Sequence, residues 1–148
     1  MNLPIHFIGV GKMGLPMAAH LKAAGHSVTV SDPDPARLVL AAGRGLPSAG
    51  SEALAQAGVV ISSLPHDDAL RTVGLAVAGA LRPGAVYVDT STVSQRVSAE
   101  VAQACAASGV EYLRTTVSGN NHMAEAAQLT VMASGPRATH ERLLPLLR

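Results

Sequence analysis

The chain has 148 residues, a formal net charge of +1, and only 14% charged residues. That length suits one domain with a full core, and the near-neutral balance leaves no electrostatic footprint for nucleic acid. The aromatics are Phe7, Tyr87 and Tyr112, too few for a platform that stacks single-stranded bases. The lone Cys105 allows no internal disulfide and no zinc pattern, which fits a reducing, cytoplasmic setting. The N-terminus lacks the basic stretch of a signal peptide, and no apolar run is long and glycine-free enough to span a bilayer.

Leu3 to Ile8 is a continuous apolar run, as in a buried parallel strand. Lys12 to Ala24 is a helix with Met13, Met17 and Leu21 as its inner stripe and Gly25 past its end. His26 to Val30 is a second strand, which completes a βαβ unit. Asp34 and Pro35 open a helix that ends near Gly43. Arg44 to Gly50 reads weakly as an edge strand, and Ser51 to Ala57 as a short helix capped by Ser51. Val59 to Leu64 is a strand closed by Pro65, and Asp67 to Leu81 a helix interrupted at Gly74. Ala85 to Asp89 is a strand, Val93 to Ser108 a helix with Val97, Val101 and Cys105 in one stripe, and Val110 to Leu113 a further strand. Asn121 to Ala127 (helix), Leu129 to Ala133 (strand) and Pro136 to Leu147 (helix) complete the chain. This alternation predicts an α/β, Rossmann-type, doubly wound and mainly parallel sheet with helices on both faces, as one domain over 1–148.

The first strand runs into Gly9-Val10-Gly11-Lys12-Met13-Gly14 and then a helix. Gly9 permits a tight turn, Gly11 leaves the backbone open to a ligand, and Gly14 lets the helix pack against the strand. Free N–H groups at the helix start then face an anion such as a pyrophosphate. Asp32, at the end of the second strand, is placed to accept hydrogen bonds from a ribose. A carboxylate there repels a 2′-phosphate, so NAD is favoured over NADP, although Arg37 on the next helix is able to swing in. The plainer alternatives are a packing turn for the glycines and a turn residue before Pro33-Asp34-Pro35 for Asp32.

Three further polar stretches sit at strand ends, where open α/β sheets bind ligands. Leu64 and Pro65 present backbone groups there. Asp89-Thr90-Ser91-Thr92 offers hydroxyls, one of which, Ser91 or Thr92, caps the following helix and either of which can donate to a carboxylate. Thr115 to Asn120 follows its strand and carries Ser118 and Gly119 as a candidate anion nest. Each stretch alone is equally consistent with a strand end and turn. The histidines form no metal set. His66, Asp67 and Asp68 read as the start of a helix. The lysines are Lys12, inside the glycine loop, and Lys22, on a helix surface, so no lysine stands out as a general acid or base.

Taken together, Ile8 to Ala18, Gly25-His26 with Val28, Val30 and Asp32, Leu64-Pro65, Asp89 to Thr92, and Val117-Ser118-Gly119 followed by Leu129 to Met132 resemble the β-hydroxyacid dehydrogenases. That group contains 3-hydroxyisobutyrate dehydrogenase and 6-phosphogluconate dehydrogenase. The resemblance covers nearly the whole chain. It implies hydride transfer between NAD(P) and the β-carbon of a small hydroxy acid. It implies that Gly9, Gly11, Lys12, Met13 and Gly14 cradle the pyrophosphate, that Asp32 holds the adenosine ribose, and that Leu64, Pro65 and Thr92 lie by the nicotinamide half. It further implies that Ser91, Ser118, Gly119 and Asn120 reach the substrate, with Ser118 and Gly119 on its carboxylate.

Several positions depart from the family pattern. Gln95 stands where proline is usual, Arg114-Thr115-Thr116 where Asp-Ala-Pro is common, and Asn120 where a second glycine is usual. The last two leave the substrate open. The family's general acid/base is a lysine on a helix of a second, all-helical domain, and neither has a counterpart here. The expectation is a cofactor-binding domain, inactive alone, that self-associates through an apolar final helix at Leu143, Leu144, Leu146 and Leu147. The competing expectation is a nucleotide-sensing or interaction module that retains the fold without the chemistry.

Overall fold

The computed structural model describes residues 4–11, 13–50, 52–91, 94–118 and 130–134, of which 116–118 and 130–134 by their backbone alone. Expectations for Leu3, Lys12, Ser51, Thr92, Gly119, Asn120, the 121–127 helix and the final helix lie outside these residues.

The elements run β1 (Pro4–Ile8), α1 (Gly14–Ala23), β2 (Ser27–Ser31), α2 (Pro35–Gly43), α3 (Glu52–Gln56), β3 (Val59–Ser62), α4 (Asp67–Ala80), β4 (Val86–Asp89), α5 (Gln95–Ala107), β5 (Glu111–Ser118) and β6 (Thr130–Ser134). They build one sheet in the order β2-β1-β3-β4-β5-β6. The first five strands are parallel, and β6 runs antiparallel to β5. The strand order reverses direction between β1 and β3, which is the topological switch point where such sheets hold ligands at their carboxyl edge.

The sheet is buried on both faces, which is why its strands read as continuous apolar runs. Ile5, Phe7, Val28, Val30, Val59, Ile61, Val86, Val88 and Leu113 pack with Leu15, Ala18 and Ala41 of α1 and α2. On the opposite face Val60, Tyr87 and Tyr112 pack with α3, α4 and α5 through Leu54, Leu70, Val77, Val97, Val101 and Cys105. The α5 stripe lies inward as its spacing predicts. The α1 stripe is rotated: Gly14, Leu15 and Ala18 are buried, while Met17 and Leu21 are only partly so. Gly14 and Ala18 stand inward beside Leu15 because the glycine turn draws the start of α1 against β1.

Four other local expectations are corrected. Helix α4 continues through Gly74 without a break. A Cβ at Gly74 would press on both methyl groups of Val101, so this glycine serves the close approach of α4 and α5. Helix α5 starts at Gln95, and its cap is Ser94, whose hydroxyl accepts from Val97 N–H, in place of Ser91 or Thr92. Strand β5 extends to Ser118, so Thr115 to Ser118 belong to the strand and do not follow it, because antiparallel pairing with β6 carries the ladder outward. The weak edge strand in 44–50 contracts to a single bridge between Val30 and Ser48, and Pro47, which has no N–H to donate, sits inside that short segment.

His6 lies in the middle of β1 and is buried. Its Nδ1 bonds Thr29 Oγ1 at 2.7 Å and its Nε2 bonds Ser31 Oγ at 3.2 Å, both on β2. Burial holds its pKa below the ordinary 6.5, against a smaller opposing pull from Glu52. The unfolded chain therefore takes up this proton first as pH falls. The stability that the neutral ring contributes is complete above about pH 6.5 and is lost as pH falls from there through the folded value. Urea unfolding at pH 8 and pH 5.5 is expected to show this loss, and His6→Gln is expected to flatten it. An equal slope in the two proteins would mean that other groups carry the pH dependence.

Candidate functional site

The turn after β1 shows why its glycines stand where they do. Gly9 adopts φ of 93°, a conformation side chains resist. A Cβ there would also collide with the Ser63 carbonyl at the end of β3. At Gly14 a Cβ would collide with the Gly9 carbonyl, so this glycine seats α1 on the turn. Gly11 differs: a Cβ would meet no described atom within 4 Å. The fold demands glycine at Gly9 and Gly14 but not at Gly11, and a bare backbone there suits close approach by a phosphate.

Asp32 ties this turn to the end of β2. Its Oδ2 accepts from Val10 N–H at 3.0 Å, and its Oδ1 accepts from Asp34 N–H at 2.9 Å. The ribose-reader and turn-residue readings of Asp32 are thus compatible, since each oxygen keeps a second lone pair. Asp34 in turn caps α2 by accepting from Ala36 N–H. Arg37, one turn into α2, donates from Nε to the Val10 carbonyl at 2.9 Å. This brings a guanidinium beside the glycine turn, a contact that the sequence left open.

Two strand steps away, β3 and β4 end side by side, with Ser62 in register with Asp89. A buried polar chain connects them. Ser62 Oγ donates to Asp89 Oδ1 at 2.7 Å, so the Tyr87 phenol, 2.7 Å from Ser62 Oγ, is the donor to Ser62. Ser91 donates to the same Asp89 Oδ1 from its hydroxyl at 2.7 Å and from its N–H at 3.2 Å. Leu64 N–H then donates to Ser91 Oγ at 2.7 Å. Burial pushes the Asp89 carboxyl above the ordinary range, opposed by these hydrogen bonds and by the charge of Arg114. Its Oδ2 is buried with no hydrogen-bond partner among the described residues. Burial likewise raises the Tyr87 phenol well above its ordinary value, which keeps it a donor.

Gly9, Gly11, Met13, Gly14, Asp32, Leu64, Pro65 and Ser91 all fall at this carboxyl edge of the sheet. The backbone of Ser118 is displaced outward along β5. Pro65 also borders an open cavity of about 470 Å³ with His66, Asp67 and Asp68 at the start of α4, where His66 caps the helix through Nδ1 by accepting from Ala69 N–H. Sequence reasoning missed Ser62 and Tyr87. Their signal was available: both are polar-bearing residues on the same sheet face as Asp89, within strands otherwise apolar. Among the described residues no group of three or more His, Cys, Asp or Glu could hold a metal ion, and no helix is long and apolar enough to cross a membrane.

A parallel sheet with a glycine turn at its switch point and an acid at the end of β2 defines a Rossmann-type dinucleotide-binding domain. The chain belongs to the family of the NAD binding domain of 6-phosphogluconate dehydrogenase, whose model matches residues 4–148. It is 38% identical over 145 residues to a probable 3-hydroxyisobutyrate dehydrogenase of Mycobacterium tuberculosis, covering 97% of this chain and 49% of that protein. It is 32% identical to the 2-(hydroxymethyl)glutarate dehydrogenase of Eubacterium barkeri, over 99% of this chain and 50% of that one. A solved structure of Mycobacterium tuberculosis 3-hydroxyisobutyrate dehydrogenase with L-serine superposes with a TM-score of 0.95 at 38% identity, covering 99% of this chain and 51% of that one. The chain spans about half the length of the curated relatives it matches.

Proposed function

We propose that this chain is the cofactor-holding domain of an NAD-dependent oxidoreductase that acts on a small β-hydroxy acid or a related carbonyl acid. One observation carries the reading: the glycine that the fold does not need, Gly11, lies between two that it does need, in a turn that Asp32 holds in place. In this reading Gly9, Gly11, Lys12, Met13 and Gly14 surround the pyrophosphate and Asp32 binds the adenosine ribose. Leu64, Pro65 and Thr92 meet the nicotinamide half. Ser91 stands where nicotinamide and substrate meet, and Ser118, Gly119 and Asn120 take the substrate. The nicotinamide, when bound, supplies or accepts the hydride.

NAD is the preferred form because the Asp32 carboxylate faces the position a 2′-phosphate would occupy. The chain alone performs little or no turnover in this reading. Of its two lysines, Lys12 belongs to the Gly-x-Gly-x-x-Gly sequence, and Lys22 donates to the Gly45 carbonyl at 2.7 Å. Titration of the chain with NADH, followed by nucleotide fluorescence, is expected to saturate in the micromolar to millimolar range, with little oxidation of added hydroxy acids. Failure to bind at millimolar NADH would sink the cofactor assignment. Ready turnover by this chain alone would sink the reading that it holds the cofactor without completing the chemistry.

A further inference from the structure

The polar chain beneath the ends of β3 and β4 fixes the direction of one hydroxyl, and this deepens the cofactor reading above, on which it rests. Asp89 Oδ1 receives hydrogen bonds from the Ser62 hydroxyl, the Ser91 hydroxyl and the Ser91 N–H. An oxygen so occupied is an acceptor whether the acid is ionised or neutral, because a proton on the acid would sit on Oδ2. The hydroxyl proton of Ser91 therefore points into the protein. One lone pair of Ser91 Oγ is taken by Leu64 N–H. A hydroxyl has two acceptor positions and one donor, so Ser91 has a single lone pair left for a ligand and no proton to give.

We infer that Asp89 is a positioning residue that fixes Ser91 as a hydrogen-bond acceptor, selecting the N–H of the nicotinamide carboxamide over a carboxylate or a bare carbonyl. Place in the sheet agrees with chemistry. In the order β2-β1-β3-β4, the end of β4 lies three strand steps from that of β2. At about 4.8 Å per step that is about 14 Å, the scale of an extended dinucleotide whose adenosine ribose sits at Asp32. A substrate carboxylate at Ser91 would set lone pair against lone pair. Carboxylate binding then belongs to other groups on the substrate side.

Two measurements on the 148-residue chain test this. The first needs no ligand: amide hydrogen exchange at Leu64, with Ile61 in mid-strand as the reference. Asp89→Ala is expected to speed exchange at Leu64 by about tenfold, the loss of one anchored hydrogen bond. Asp89→Asn keeps an oxygen at the Oδ1 position and is expected to stay within about threefold of the parent. Unchanged protection of Leu64 in Asp89→Ala would show that Asp89 does not hold Ser91.

The second compares, by calorimetry, NADH with reduced 3-acetylpyridine adenine dinucleotide, whose methyl ketone accepts but carries no N–H. The parent chain and Asp89→Asn are expected to favour NADH by about fivefold, the worth of one neutral hydrogen bond. Ser91→Ala is expected to lose that preference, and so is Asp89→Ala, in which the hydroxyl turns to donate. A preference that survives in Ser91→Ala, or is missing in the parent, would overturn the inference. Should neither nucleotide bind any variant, the cofactor reading and its selectivity fall together, while the exchange result still decides whether Asp89 positions Ser91. Ser91→Ala and Asp89→Asn keep the test decisive if Asp89→Ala does not fold.

Discussion

Alanine at Gly9 is expected to destabilise the fold by about 3 kcal/mol, whereas alanine at Gly11 leaves stability unchanged and removes most of the nucleotide affinity. At Gly9 two penalties combine. The backbone stands at φ of 93°, which costs a side-chain-bearing residue about 1–2 kcal/mol. The new methyl also meets the Ser63 carbonyl, an atom held in the β1–β3 ladder by Ser63 N–H donating to the Ile8 carbonyl at 2.9 Å. Backbone cannot rotate away as a side chain can, and overpacking of that kind costs about 1–3 kcal/mol. At Gly11 neither penalty applies, since no described atom lies within 4 Å of the added methyl. Stability is expected within about 0.5 kcal/mol of the parent. In the proposed reading, however, the methyl stands in the path of the phosphates, and loss of a charge-assisted backbone contact is worth about 1.5–3 kcal/mol, so affinity for NADH should fall about tenfold to a hundredfold. Urea unfolding and NADH titration on the two variants separate these effects. Equal loss of stability at both positions would mean that Gly11 is a packing glycine and that the turn is no cradle.

Asp32→Ser is expected to collapse the discrimination between NADH and NADPH. In the parent, the carboxylate accepts from Val10 N–H and Asp34 N–H, and in the proposed reading its remaining lone pairs take the ribose hydroxyls. A 2′-phosphate in the same place meets a like charge, so a preference for NADH of about tenfold or more is expected. Removing the charge leaves the Arg37 guanidinium, anchored on the Val10 carbonyl, as a cation beside the turn. NADPH is then expected to bind as tightly as NADH or more so, and both less tightly than NADH binds the parent. The cost in stability should be about 1–2 kcal/mol, because Val10 N–H and Asp34 N–H lose their acceptors. Parallel titrations with the two nucleotides report the ratio. A parent chain that binds NADPH as well as NADH would show that Arg37 already dominates.

Much of the fold is legible in the residues because the sheet is buried on both faces. Val59 to Ile61 and Val86 to Val88 can be little else than inner strands, and glycines past α1 and α5 end those helices where expected. Errors concentrate where tertiary contact overrides local preference. Gly74 breaks nothing because Val101 occupies the space above it, and β5 runs on because β6 pairs with it from the opposite direction. At the site, the glycine turn and Asp32 are readable from spacing. The use of the hydroxyls is not. Ser91 looks like a helix cap from its position before α5, but Asp89 draws its proton inward and Ser94 caps instead. Which of several neighbouring serines does which task depends on distances across β3 and β4, and those belong to the folded sheet.

In the proposed reading the carboxyl edge around Gly9–Gly14 and Asp32 holds a dinucleotide. Mapping backbone amide shifts of the ¹⁵N-labelled chain during NADH addition tests it most directly. Saturable shifts are expected at the amides of Val10, Gly11, Gly14 and Leu64, with those of Val86 and Val110 at the opposite edge unmoved. Shifts confined to other surfaces, or none at saturating nucleotide, would contradict it.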